Sequence, residues 1–352
     1  MIDYLSLVMY FVILAAILSI ASMSLNLEAG VTGLPNFGKV GFLALGAFVA
    51  GTLAVTLGVL ATGMKSDLLY LPEVTSAVNG LAKVSPAFDI AVFVLGILLA
   101  LGVGGVAGFV AAYPAIRLRE DYLGITLLVI AEVIRLIQNS YTSIAGGAYG
   151  LPYVPGPFDW VRYQYGTTVY YLSFMLLALT LTYLSYLYFD KILNAPYGRM
   201  LRGIRDNEVV AESFGKGVRR AKIEVMVIGS SFAAMAGALQ VYFVQSVSNE
   251  NYVPAITFVI FLMVLLGGSG NFKGAIAGAA LYEILDVGTS FISPSLYQYI
   301  PSNIIGHLKF LMIGVLLLLI LLYRPRGILP EERIRTIAWK ITHDRKHPSD
   351  RN

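Results

Sequence analysis

Residues 190–222 read DKILNAPYGRMLRGIRDNEVVAESFGKGVRRAK, a charged stretch set between two long apolar runs at 167–189 and 223–246. A helix needs roughly 20 apolar residues to cross a bilayer core, so both flanks read as membrane spans. The stretch itself carries eight basic residues: Lys191, Arg199, Arg202, Arg205, Lys216, Arg219, Arg220 and Lys222. Lysine and arginine are retained on the cytoplasmic side of a membrane, and that bias places the loop inside.

The loop also has a pattern of its own. Pro196 stands where a first-turn proline belongs, and Met200, Leu201 and Ile204 share one side of a helix over 197–205. Asp206 or Asn207 caps a second helix, in which Val209, Val210, Ala211 and Phe214 form an apolar stripe. Gly215 supplies its left-handed stop, and Gly217 loosens the exit. A short helix with an apolar face on an aqueous surface needs a partner's groove to bury that face. The plainer reading is a solvated basic loop that only holds the chain's orientation, and it leaves the stripe unexplained.

Working outward, 57% of the 352 residues are hydrophobic and 13% are charged. Soluble domains run at about 45–50% and about 25%, so this chain lacks the charge to cover a soluble globule. Apolar segments fall at 4–27, 40–62, 88–112, 122–139, 167–189, 223–246, 254–267, 274–292 and 305–323. None alternates like a barrel strand, which leaves helices as the spanning structure. The fold class expected is an all-α polytopic bundle of about nine (8–10) spans. The tail after Tyr323 carries eight more basic residues, and 113–121 adds Arg117 and Arg119. By contrast, 140–166 has only Arg162 and 293–304 has none. Placing the basic segments inside gives an alternating path with the N-terminus outside and the C-terminus cytoplasmic. MIDYLSLVMYF lacks a basic n-region, so it reads as a retained first span. Residues 1–330 form the membrane domain. Residues 331–352 form a tail whose Ile334, Ile337, Ala338 and Ile341 fit a helix on the inner leaflet.

With no cysteines, disulfide, thiolate and thiol-redox chemistry are excluded. The three histidines, His307, His343 and His347, make no metal cluster. No HExxH motif or GxxxxGK[ST] loop is present. The chain reads as a transport subunit and not an enzyme, with no metal and no nucleic-acid partner.

The seventh segment is too short to cross alone and ends in Gly267-Gly268-Ser269-Gly270, which predicts a broken or re-entrant element. GGSGNFKGAIAGAALY from Gly267 resembles GLPNFGKVGFLALGAF from Gly33. The pair reads either as an internal inverted repeat with interrupted helices, which is a transporter signature, or as two common interfacial breaks. Gly33, Asn36, Gly268 and Asn271 are the substrate-pathway candidates in these breaks. Glu132 and Arg135, three residues apart on the fourth span, are spaced to pair on one face. They read as pathway-lining or, more simply, as an internal salt bridge. Gly146 and Gly147, in SIAGGAYGLP, let backbone approach a substrate or merely form a turn.

Taken together, these stretches resemble the membrane subunits of branched-chain amino acid ABC importers, and most closely the LivM-type permeases. The resemblance is carried by PYGRMLRGIRDNEVVAESFGKGVRRAK at 196–222, IRLREDYLGITLLVIAEVIRLIQNSYTSIAGGAYGL at 116–151 and FLMVLLGGSGNFKGAIAGAAL at 261–281. YRPRGIL at 323–329 and SLNLEAGVTGLPNFGKVGFLALGAF at 24–48 add to it, although Glu28 and Pro35 depart from the family's polar-glycine pattern. Across 60–90 the chain has a long, mildly polar loop unlike the family's.

The resemblance implies a permease of a prokaryotic plasma or inner membrane that binds no cofactor itself. ATP and Mg enter through two ATP-binding subunits, alongside a second homologous permease, an external substrate-binding protein and membrane lipid. It also implies that Arg205, Asn207, Glu208, Val209, Val210, Ala211, Glu212, Phe214 and Gly215 form the contact with the ATPase, with Glu208 and Glu212 meeting basic groups there. An ion-coupled secondary transporter or channel for a small polar solute is the alternative. It explains broken helices but not the two-helix loop.

Overall fold

The computed structural model describes residues 4–296, apart from Lys65, Asp67 and Arg119, together with 327–331 and scattered positions within 311–323. The ninth expected span, the tail helix and all three histidines lie largely or wholly outside the described residues.

Twelve α-helices make up the described chain, which contains no β-strand beyond one isolated bridge between Leu151 and Val247. The long ones are α1 (Tyr4–Leu25), α2 (Lys39–Thr62), α4 (Pro86–Arg117), α5 (Glu120–Ser140), α7 (Thr167–Asn194) and α10 (Val218–Val244). Each matches an expected apolar segment, and these six are long and apolar enough to cross a membrane. The seventh and eighth segments become α11 (Ala255–Gly267) and α12 (Phe272–Leu296), bent by 119° at the glycine break. That confirms the broken element, and a bent pair adds at most one further span to the six.

Shorter helices cover the ends. α3 (Pro72–Val84) and α6 (Asp159–Tyr165) pack together at one end of the bundle. α3 thus fills part of what reads in sequence as a loop: it is amphipathic and buries Val74, Val78 and Ala82. α8 (Pro196–Asp206) and α9 (Glu208–Ser213) lie at the opposite end, called here the basic end.

The core is organised around α10, which packs against α4, α2 and α1. Glycine permits the closeness. A Cβ on Gly237 would sit 1.9 Å from the Leu43 carbonyl oxygen, and one on Gly46 would sit 1.9 Å from that of Ala234. Small residues at such crossings let backbones approach, which drives packing where lipid removes the hydrophobic gain.

Candidate functional site

α1 does not end cleanly at Leu25. It runs on into a π-helical turn over Asn26–Val31, a widened geometry that recurs at functional sites. The chain then folds back through 32–38 to start α2. This fold-back brings Glu28 and Lys39 together: Lys39 Nζ lies 2.9 Å from Glu28 Oε2, and neither side chain is exposed. The Asn36 amide donates to the same carboxylate oxygen at 3.0 Å, and Lys39 also donates to the Gly229 carbonyl at 3.1 Å. Gly229 has to be glycine here, because a Cβ would lie 2.0 Å from Glu28 Oε1. Gly229 lies well inside α10, so the pair is set where the end of α1 and the start of α2 meet the flank of that helix. A buried pair is tolerated only when its geometry and extra hydrogen bonds offset desolvation, and the Asn36 and Gly229 contacts supply those.

The π-turn also meets the second break. Asn26 Oδ1 accepts from Gly270 N at 2.8 Å, and its amide donates to the Asn271 carbonyl at 2.9 Å. The strap at 327–331 closes over the second break. Ile328 and Leu329 donate backbone hydrogen bonds to the Leu266 and Gly267 carbonyls, and Asn271 Nδ2 donates to the Pro330 carbonyl at 3.1 Å. Glu331 then clamps α8, accepting from Arg202 at 2.7 Å and Arg205 at 2.9 Å. Arg205 reaches onward to donate to the Gly30 carbonyl, and Gly33, at φ +80°, folds against its side chain. One arginine on the charged loop therefore joins both helix breaks.

α8 and α9 form where the sequence predicts them. Asn207, rather than Asp206, is the cap of α9: its side-chain oxygen accepts from Val210 N at 3.1 Å. Gly215 stops the helix at φ +72°. Val209 and Phe214 are 72% and 78% exposed, and Val210 is half-exposed. Ala211 is buried, so it belongs to the inner face of the loop and not to the presented stripe. Glu208 engages Lys222 at 2.7 Å, which leaves Glu212 as the freer of the two acids.

The predicted pathway residues separate into three places. Gly33, Asn36, Gly268 and Asn271 gather around the breaks, but both asparagine side chains are engaged in holding backbone and Glu28. Glu132 and Arg135 do pair, with Arg135 Nε 3.0 Å from Glu132 Oε2, both partly buried at the flank of α5's packed face. Gly146 and Gly147 take positive φ in a loop at the far end, where the Gln138 amide donates to the Gly147 carbonyl. Beside them, a largely apolar cavity of about 540 Å³ opens between α2, α4 and α5, lined by Phe48, Val49, Thr52, Ile134 and Ile137 among others.

Residue-by-residue reading of the sequence passes over Lys39, Gly229, Asn26 and Glu331. Lys39 stands at the edge of an apolar run with no local signal of its own, and Glu28 reads only as a departure from a family pattern. The available signal was a lone acid and a lone base flanking a Gly-Pro break within a single apolar region.

Comparison with known proteins agrees with this architecture. A family model described as branched-chain amino acid transport system / permease component matches residues 7–321. A probable branched-chain amino acid transport permease protein LivM of Methanocaldococcus jannaschii is 38% identical over 91% of this chain and 92% of its own length. The high-affinity branched-chain amino acid transport system permease protein LivM of Escherichia coli is 27% identical over 91% of this chain and 69% of its own. The probable LivH permease of M. jannaschii is 23% identical over 94% and 91%. No solved structure matches. The match across nearly the whole chain, on a helical bundle with a broken α11–α12 element, shows that this protein belongs to the branched-chain amino acid transport system permease family.

Proposed function

We propose that this chain, paired with a second homologous permease, forms the translocation path for branched-chain or related amino acids in a prokaryotic plasma membrane. The basic end faces the cytoplasm, as its concentration of lysine and arginine requires. Two ATP-binding subunits dock there and supply ATP and Mg chemistry, while an external binding protein delivers substrate to the far end. The chain itself catalyses no reaction.

The observation that carries this reading is the exposed Val209–Val210–Phe214 stripe on α9, joined through α8 and the Arg205 hydrogen bonds to the two helix breaks. A groove in the ATPase buries the stripe, and motion of the groove is transmitted to the breaks. The apolar cavity between α2, α4 and α5 suits an aliphatic side chain, and the second permease closes its open side. Thr52, Thr56 and Gln138 are the polar residues of its lining. Gln138 is buried with its amide on the Gly147 carbonyl, so the two threonine hydroxyls orient the substrate, as sparse polar groups do in apolar sites.

Exposed stripe residues make the better test, because Ala211 is packed inward. Val209→Asp with Phe214→Asp is expected to abolish co-purification with the ATPase subunits and ATP-driven uptake while leaving the unfolding temperature unchanged. Uptake by the chain alone, driven by an ion gradient without ATP, overturns the proposal. Substrate-stimulated ATP hydrolysis of the reassembled complex, compared across aliphatic and polar amino acids, identifies the substrate.

A further inference from the structure

At the basic end a second cavity, of about 470 Å³, opens between α7, α8 and α12. Tyr186, Asp190, Asn194, Arg199, Arg202 and Lys273 line it. Three cations therefore face one carboxylate. Asp190 already accepts from the Asn194 amide at 3.0 Å, and Arg202 is taken up by Glu331. Arg199 and Lys273 are exposed, and among the described residues their side chains have no hydrogen-bond or ion-pair partner. The first amides of α12 are not free to bind an anion, because Asn271 Oδ1 accepts from Lys273 N and Gly274 N. Any anion in the cleft is therefore held by side-chain charge.

The surroundings specify the kind of anion. The cleft lies at the last turn of α7, and the outer face of that helix exposes Tyr183, Leu184, Leu187 and Tyr188 just before it. An apolar and aromatic surface leading to a basic cleft at a helix end matches a lipid standing at the interface, with acyl chains on the helix and its phosphate among the cations. We propose that Arg199 and Lys273, with Arg202 behind them, bind the phosphate of an anionic phospholipid headgroup. The site takes a phosphate-bearing anion, and its position on the lipid-facing helix selects the membrane as the source. The lipid then ties α7 and α12 to α8, the helix that carries the clamp on the breaks. The proposal rests on the basic end lying at the inner leaflet. Its test needs no ATPase or substrate, so its failure and the failure of the transport reading are separable.

The experiment uses the full chain purified in neutral detergent and titrated with phosphatidylglycerol, with bound lipid counted by native mass spectrometry and thermal unfolding followed in parallel. A cation near a membrane surface contributes on the order of fivefold in affinity, so Arg199→Gln with Lys273→Gln is expected to weaken retention on the order of 30-fold. The control Lys191→Gln, nearby but outside the lining, leaves it unchanged. Phosphatidylcholine should bind wild type and double variant alike. Wild-type retention of phosphatidylglycerol by the double variant overturns the site. If inorganic phosphate at millimolar concentration displaces the lipid, the anion is a soluble one and the membrane source is overturned.

Discussion

Lys39 and Glu28, on opposite sides of the turn through 32–38, form an ion pair with no exposed surface, 2.9 Å apart. Removing one partner strands a charge that water cannot reach. Lys39→Met is expected to cost about 3–5 kcal/mol, read as a large drop in unfolding midpoint in detergent. Glu28→Gln combined with Lys39→Met removes both charges and should recover much of that loss. A double variant no more stable than Lys39→Met would show that the pair's charge balance is not what matters.

Gly237 tests the α2–α10 crossing. A valine there meets the Leu43 carbonyl and forces the helices apart, an overpacking cost of about 1–3 kcal/mol or more. Gly102, on α4, has nothing within 4 Å of an added Cβ. Gly102→Ala should therefore be neutral, or stabilising by up to about 1 kcal/mol from helix propensity. Equal unfolding midpoints for Gly237→Val and wild type would contradict the close packing.

The Glu331 clamp should matter more for transmission than for stability. Its pairs with Arg202 and Arg205 are about a quarter exposed on the carboxylate side, so Glu331→Gln is expected to change stability by no more than about 1 kcal/mol. If the clamp relays motion from α9 to the breaks, substrate-stimulated ATP hydrolysis by the assembled transporter should nonetheless fall severalfold. Unchanged stimulation would remove Glu331 from the relay.

α9 has six residues and depends on its cap. Asn207→Ala removes the acceptor for Val210 N and is expected to cost the loop about 1 kcal/mol. Amide hydrogen exchange at 208–214 should rise while exchange in α10 stays unchanged. A loop equally protected in the variant would mean that the cap is dispensable.

Asp159, on α6 beyond the spans, is held above the usual carboxylate range chiefly by burial, against hydrogen bonds from Tyr153, Gly156 and Gln245 and the nearby Arg162 charge. Asp89 also faces it. Burial likewise pushes the Tyr153 hydroxyl upward, so Tyr153 stays a donor. Because the folded state holds the Asp159 proton more tightly than the unfolded chain, its contribution is full below the unfolded pKa and is lost as pH rises through the folded one. Unfolding temperature from about pH 4 to about pH 8 should therefore decline less in Asp159→Asn than in wild type. Parallel curves would refute the assignment.

Much of this protein could be read from its sequence. Apolar length placed the long helices within a few residues, since a span must satisfy its own backbone over a fixed thickness. The same holds for the local signals of the charged loop: a first-turn proline, an asparagine cap and a left-handed glycine act within a few residues of themselves. The bend at 267–271 was legible for the same reason, because a glycine run cannot continue a helix whatever surrounds it.

What only the tertiary structure decided is which distant pieces meet. Nothing local distinguishes Lys39 at the edge of a span from an interfacial lysine; the fold-back through 32–38 and the missing Cβ of Gly229 turn it inward onto Glu28. Glu331 looked like the start of a tail until the strap carried it to Arg202 and Arg205. Ala211 belonged by periodicity to the exposed stripe, but packing turned it inside. In each case the energy lies between residues far apart in the chain, and a one-dimensional pattern has no term for it.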